Sequence, residues 1–269
     1  MTLDPRYLAT ALEAAVAAGR IQRTSFRNNP QVEKKGPIDL VTEADREVER
    51  RFRALIQSRF PGHVVLGEEG GGADAGLEGA RWIIDPIDGT TNFAHGLALF
   101  CVSIALQIDS RTVIAVVYEP MAQELFVAEQ GRGATLNGSR LQVSQEAELA
   151  ESLLVTGFPY TIQRRRAKQV KTFAAFLGAS RAVRRLGSAA LDLCYVAAGR
   201  FDGFWEEQLH PWDIAAGCLI VEEAGGRVTQ FDGQPVDLFK GEIVASNGRI
   251  HAAMREVINQ PSRRGDASR

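Results

Sequence analysis

Residues 81–96 read Arg-Trp-Ile-Ile-Asp-Pro-Ile-Asp-Gly-Thr-Thr-Asn-Phe-Ala-His-Gly. Asp85 and Asp88 stand at the end of a short apolar run, Trp82-Ile83-Ile84, and are followed by Gly89 and Thr90. Two carboxylates at the end of a buried strand are costly unless something compensates them. No Lys or Arg lies between residues 82 and 110. A divalent cation with oxygen ligands is the natural compensation, and Mg²⁺ typically takes a few carboxylates plus phosphate oxygens. Gly89 and Thr90 can open a short helix, whose free N–H groups suit an anion. Carboxylates for a metal beside N–H groups for a phosphate point to metal-assisted phosphoryl chemistry. The local alternative is an Asx turn in which both aspartates bond nearby backbone, and a lone Asp-x-x-Asp-Gly favours it.

Other carboxylates recur at the ends of predicted strands. Val64-Val65-Leu66 runs into Gly67-Glu68-Glu69-Gly70, and Phe201–Trp205 runs into Glu206-Glu207. Asp45 lies three residues after Thr42, the spacing of a shortened capping box. Asp213 follows His210-Pro211-Trp212, where Pro211 suits a first helical turn and Asp213 can offset the helix dipole. Gly187-Ser188-Ala189 opens another predicted helix, with Ser188 as the cap. Each of these residues thus has a purely structural explanation.

The positioning elements follow from periodicity. A helix is predicted over residues 5–27, with Leu8, Leu12, Ala15, Val16 and Ile21 inward and Asp4 as the cap. Val32-Glu33-Lys34-Lys35-Gly36-Pro37 reads as a strand running into a turn, and a second helix carries Val48, Phe52, Leu55 and Ile56. The strand at 82–85 should stop at Pro86, which cannot donate to a ladder. Phe100–Ile108 alternates, further strands fall at 112–119 and 124–129, and Asn137-Gly138 is a hairpin signal. This predicts an antiparallel sheet in residues 1–147. Residues 148–261 alternate strand and helix, including a helix from Arg164-Arg165-Arg166 with Val170, Phe173 and Leu177 inward. Strands near 227–231 and 242–246 precede a last helix. The fold class is α+β followed by α/β, without a long linker, and the tail 262–269 is expected to be disordered.

The 269 residues, 45% hydrophobic and 24% charged, fit an ordinary globular protein with a sizeable core. A net charge of −2 argues against a broad basic surface for nucleic acid. The arginine triplet reads as a solvated face. Cys101, Cys194 and Cys218 have neither zinc spacing nor a disulfide framework and read as buried core residues. No transmembrane segment or signal peptide is apparent, so a cytoplasmic location without membrane association is expected. The glycine-rich residues 70–79 are a surface loop beside the site, without the ending of a P-loop.

Four ordered segments together resemble the inositol monophosphatase family: Asp39–Asp45, Gly67–Gly70, Trp82–Phe93 and His210–Gly217. The resemblance runs from about residue 5 to about 258. It implies a layered α-β-α-β-α sandwich of the inositol monophosphatase and fructose bisphosphatase type, working with two to three Mg²⁺ ions. It implies that Glu68, Asp85 and the Ile87 carbonyl hold one ion, and Asp85, Asp88 and Asp213 a second. Asp45 and Thr90 would activate the attacking water. Lys34 (beside Lys35), Gly89 and Thr90 would contact phosphate. Gly187, Ser188, Ala189, Glu206, Asp88 and Asp213 would contact the substrate. A small phosphorylated polyol, myo-inositol monophosphate, is the implied substrate. Fructose 1,6-bisphosphate, histidinol phosphate and a 3′-phosphoadenosine nucleotide are rivals, and Glu206 favours a polyol. A homodimer and lithium inhibition are implied as well. A regulatory binding protein on the same scaffold is the other reading, set against the intact carboxylate set.

Overall fold

The computed structural model describes residues 3–27, 32–34, 40–71, 79–159 and 162–259; the side chains of Arg27, Val32, Lys34 and residues 163–165 are not included. The tail 262–269, most of the glycine-rich loop, Lys35 and the Lys34, Arg164 and Arg165 side chains therefore lie outside the described residues.

In chain order the elements are α1 (Pro5–Arg27), β1 (Val32–Lys34), β2 (Leu40–Thr42), α2 (Glu43–Arg59), β3 (Val64–Gly67), β4 (Ala80–Asp88) and α3 (Thr90–Ala94). Then come β5 (Cys101–Ile108), β6 (Arg111–Glu119), β7 (Glu124–Glu129), β8 (Gly133–Leu136) and β9 (Ser139–Arg140). The second half holds β10 (Leu153–Thr156), α4 (Ile162–Ala179), β11 (Ala182–Arg184), α5 (Ala189–Ala197), β12 (Gly203–Glu206), α6 (Pro211–Glu223), β13 (Arg227–Thr229), β14 (Ile243–Ser246) and α7 (His251–Asn259).

A seven-stranded sheet runs in the order β3-β4-β5-β6-β7-β8-β9, antiparallel except for the β3–β4 pair. Asn137 (φ 49°) and Gly138 (φ 81°) make the β8–β9 turn, as the dipeptide predicts. The second sheet, β11-β10-β12-β14-β13, is mixed: β10 is parallel to β11 and β12, whereas β14 is antiparallel to β12 and β13. Helices α1 and α2 cover one face of the first sheet, while α5 and α6 lie between the sheets. Helices α4 and α7 pack on the far side of the second sheet. The result is the expected α-β-α-β-α sandwich.

This layering buries both faces of the first sheet. On β5, Val102, Ile104 and Leu106 face the α1–α2 side, and Cys101 and Ala105 face α5 and α6. The alternation seen in the sequence therefore separates two cores, not core from water. The middle helices approach closely: a Cβ on Gly217 of α6 would lie 2.5 Å from Leu193 Cδ1 of α5. All three cysteines are buried and free.

Three local expectations need correction. On α1 the inward stripe is Ala11, Ala14, Ala15 and Ala18, and Val16 is exposed; alanines let the helix sit close to the sheet. On α4, Val170 and Leu177 are exposed. Phe176 is buried instead, stacked on Trp205 with centroids 3.9 Å apart. The bond from Gln169 Nε2 to Glu207 Oε1 (2.6 Å) also turns the Gln169 side inward. Finally, β4 does not end at Pro86. Asp85 pairs with Ser103 and Asp88 with Cys101, so three steps on β4 oppose two on β5. This bulge places Pro86 where no ladder donor is required. It also has a consequence for the acids. Residues three apart on a regular strand point to opposite faces, and one extra residue returns Asp88 to the side of Asp85.

His251 of α7 illustrates the cost of burial on the far side of the second sheet. Its ring, 1% exposed, bonds Thr229 Oγ1 through Nε2 (2.9 Å) and Ser246 Oγ through Nδ1 (2.9 Å). Burial first, then Arg227 and Arg255, pushes its pKa down to about 4. The fold thus favours the neutral ring. Stability from this site is complete above the unfolded value near 6.5 and is lost as pH falls toward 4. We expect a loss of about 2 kcal/mol between pH 7 and pH 5 from this residue. Urea denaturation at both pH values should show a smaller difference for His251→Asn than for the parent chain.

Candidate active site

A cavity of about 440 Å³ opens where the two halves meet, lined by residues of β4, the loop after β3, the β11–α5 connection, the end of β12 and the start of α6. Glu68, Asp85, Asp88, Thr90, Ser188, Glu206 and Asp213 all contribute to its wall. Carboxylate oxygens of Asp85, Asp88 and Asp213 lie within 4.8 Å of one another. The structure therefore gathers into one place residues that are up to 145 positions apart, from Glu68 to Asp213.

Asp45, Asp85, Asp88 and Asp213 are each held through one oxygen by a backbone N–H. Asp85 Oδ1 accepts from Ile87 N (2.9 Å), inside the bulge. Asp213 Oδ2 accepts from His210 N (2.6 Å), at the entry to α6. Asp88 Oδ2 accepts from Ala190 N (2.7 Å) and from Ser188 Oγ (2.6 Å), both at the start of α5. Asp45 Oδ2 accepts from Thr42 N (2.8 Å) and Thr42 Oγ1 (2.5 Å), completing the capping arrangement at α2. The local structural reading of these aspartates is met, and each is tethered through one of its two oxygens.

The cluster is electrostatically incomplete by itself. Burial holds the Asp85 carboxyl well above the usual range, and Glu68, Asp88, Asp213 and Asp45 add to the effect. Burial and then Asp88 do the same to Asp213, partly offset by its bond from His210 N. Asp88 is raised by burial but held down by Ser188 and the α5 N–H groups. The charged neighbours that raise Asp85 are all carboxylates: Glu68, Asp88, Asp213 and Asp45. Arg185 is the only Lys or Arg among the described residues lining the cavity, and it acts on Asp192 and Glu206. A hard divalent cation fits this donor set: clustered, largely buried oxygens, with Arg185 the one Lys or Arg among the described residues of the lining.

The remaining candidates are also placed. Thr90 Oγ1 donates to the Ile87 carbonyl (2.8 Å), so its single proton is directed there and its oxygen remains an acceptor. Gly89 adopts φ 98°, and a Cβ on it would lie 3.0 Å from the Leu99 carbonyl oxygen. That conformation lets the chain turn from β4 into α3. Gly187 (φ 92°) and Ala189 line the cavity beside Ser188. Burial, then Asp88, pushes Glu206 up to about 8, with Arg185 opposing. His95 lies outside this lining; its Nδ1 bonds the Thr91 carbonyl (2.8 Å).

Several contributors were not singled out from the sequence. Asn92 Nδ2 donates to the carbonyls of Leu99 and Leu186 (both 2.9 Å), tying α3 to the connection before α5. Gly157 leaves room for Glu206, whose carboxylate would overlap any Cβ there. Asp192, 1% exposed on α5, lines the cavity with its pKa raised by burial and by Glu206. Asn92 lies inside a recognised segment and could have been found; the other two require the fold.

Comparison with known proteins decides the family. A sequence model described as the inositol monophosphatase family matches residues 4–263. The chain belongs to the inositol monophosphatase family. It is a phosphoric monoester hydrolase. An inositol-1-monophosphatase of Synechocystis is 45% identical over 253 residues, covering 94% of this chain and 88% of that one. The Nus factor SuhB of Pseudomonas aeruginosa is also 45% identical, over 257 residues, covering 93% and 95%. The crystal structure of the extragenic suppressor protein suhB from Bartonella henselae superposes with a TM-score of 0.89 at 38% identity, covering 95% of this chain and 99% of that one.

The Ser188–Asp88 bond joins the two halves at the site. Ser188→Ala should lower stability by about 1 kcal/mol, measured by urea denaturation. An unchanged midpoint would show that the Ala190 N–H suffices to hold Asp88.

Proposed function

We propose that this phosphatase hydrolyses the monophosphate ester of a small polyol, with myo-inositol monophosphate as the first candidate, using Mg²⁺. The observation that carries this reading is the set of tethered carboxylates around one cavity, with Glu206 in the same wall. Glu68, Asp85 and the Ile87 carbonyl would hold one ion, and Asp85, Asp88 and Asp213 a second; a third would sit near Glu68. Such ions lower the pKa of water and neutralise charge on a phosphate. The chain's own residues do the rest. Gly89 and Thr90 present backbone N–H groups to the phosphate, with Lys34 as a further contact. Asp45 and the Thr90 oxygen orient the water that attacks phosphorus, and a proton passes to the departing alcohol as the ester P–O bond breaks. Gly187, Ser188 and Ala189 pack against the ring. Glu206, whose pKa burial and Asp88 push up to about 8, faces the same cavity and can hydrogen-bond substrate hydroxyl groups. Lithium inhibition and a homodimer belong to the same reading. The three free, buried cysteines fit a reducing compartment, which we take as the cytoplasm. No helix among the described residues is long and apolar enough to cross a membrane.

A second reading has one specific support. Several relatives, including that of Escherichia coli at 43% identity, carry the name Nus factor SuhB. A regulatory association through this scaffold is compatible with an intact catalytic site.

Phosphate release from myo-inositol 1-phosphate, with Mg²⁺ and with chelator, tests the proposal beside fructose 1,6-bisphosphate, histidinol phosphate and a 3′-phosphoadenosine nucleotide. We expect Mg²⁺-dependent release, fastest with the inositol ester. Faster turnover of a rival would move the substrate, and no turnover of any would favour the regulatory reading. Asp213→Asn should remain folded and lose most activity at limiting Mg²⁺; near-normal rates there would remove Asp213 from the metal site. Gly157→Ala should displace Glu206 and raise KM for the polyol ester about tenfold, the value of one lost hydrogen bond. A change confined to kcat would contradict that role for Glu206.

A further inference from the structure

The segment Gly67-Glu68-Glu69-Gly70 presents Glu68 to the cavity, yet the ends of a loop do not by themselves hold a side chain in place. The loop is closed by Gly67 and Gly71, which exchange N–H···O bonds of 3.2 Å. Its interior is filled by a side chain from another element. Glu49 of α2, 2% exposed, reaches under the loop. Its Oε2 accepts from Glu69 N (2.8 Å) and its Oε1 from Gly70 N (2.8 Å). Arg53, one turn further along α2, donates through Nε to Glu49 Oε1 (2.7 Å). The same guanidinium donates to the Val65 carbonyl (3.0 Å) and the Gly71 carbonyl (3.0 Å), one on each side of the loop.

This arrangement explains both glycines of the segment. A Cβ on Gly67 would lie 2.5–2.7 Å from the Glu49 carboxylate group, and one on Gly70 would lie 2.6 Å from Glu49 Oε1. The glycines are small because Glu49 occupies the space that side chains would take. Neither has a left-handed φ that would require glycine on its own. The negative charge of Glu49 is balanced by Arg53 and by two N–H dipoles, so the clamp needs no metal to form.

We propose that Glu49 is a positioning residue that preorganises the metal site by fixing the backbone just after Glu68 and by holding Arg53, which braces both ends of the loop. The inference rests on reading the cavity as a divalent-metal site. Groups that orient ligands from outside the coordination shell typically change metal affinity about 10–100-fold when removed. Glu49→Gln keeps the shape but replaces one acceptor oxygen with an amide that must face N–H donors.

Two measurements test it in the full-length protein. Mn²⁺ binding is followed by titration calorimetry, which needs no turnover, and the Mg²⁺ concentration for half-maximal phosphate release is measured alongside. Glu49→Gln should weaken Mn²⁺ binding and raise the half-activating Mg²⁺ concentration, each about 10–100-fold, while kcat at saturating Mg²⁺ is largely kept. Glu47→Gln, on the same helix but paired outward with Arg50 and Arg51, should change neither. Gly67→Ala should reproduce the Glu49→Gln effect in the parent chain and add nothing in a Glu49→Ala background, because the collision is gone. If Glu49→Gln fails to fold, this Gly67→Ala comparison with the parent carries the test. Wild-type affinity in both Glu49→Gln and Gly67→Ala would overturn the proposal while leaving the metal site standing. A parent chain that binds no divalent ion would overturn the metal reading itself.

Discussion

The bond network around Asp88 Oδ2 is the constraint on which the rest of the site depends. One oxygen of a strand-end carboxylate in the first half sits on the start of a helix in the second, taking the Ala190 N–H and the Ser188 hydroxyl. The donors are neutral dipoles, and no Lys or Arg among the described residues bonds this oxygen. A basic partner would have satisfied the charge and removed the demand for a cation. The dipoles steady the carboxylate and leave that demand in place. The two sheets are thus registered against one another at the point where a phosphate and its metal ions would sit.

The same economy of means recurs in the other acids. Asp45, Asp85 and Asp213 each bond an N–H within three residues of themselves. The tethers that fix these side chains are local in sequence. The long-range part is left to backbone geometry: a one-residue bulge in β4, the left-handed turn at Gly89, and the close crossing of α5 and α6 at Gly217. Small shifts in any of these would move whole carboxylates relative to each other.

Much of this was legible in the sequence. Strand ends marked by Glu68 and Glu206, the caps at Thr42 and Ser188, and Pro211 at a first turn depend on neighbours within a few residues. Local chemistry is what a linear reading captures, and it located the cavity-lining residues named from the carboxylate segments. The family resemblance supplied the layered architecture, which periodicity did not. What stayed hidden was set by rotation and by distance. Val170 and Leu177 share a helical face with Phe173, but only packing against Trp205 shows that Phe176 is the anchor. Pro86 signals a strand end unless an extra residue lets the ladder skip it. Gly157 and Glu49 have no local signal: one makes space for a residue 49 positions away and the other fills a loop about 20 positions away. Neither relation exists before the chain is folded.

The arrangement has a consequence for how the protein comes into being. As the chain leaves the ribosome, Glu68, Asp85 and Asp88 emerge long before Ser188, Ala190 and Asp213. Until the second half is made, the inner face of the first sheet has no α5 or α6 to cover it. The cavity that gathers the acids therefore cannot be complete until both helices lie between the two sheets.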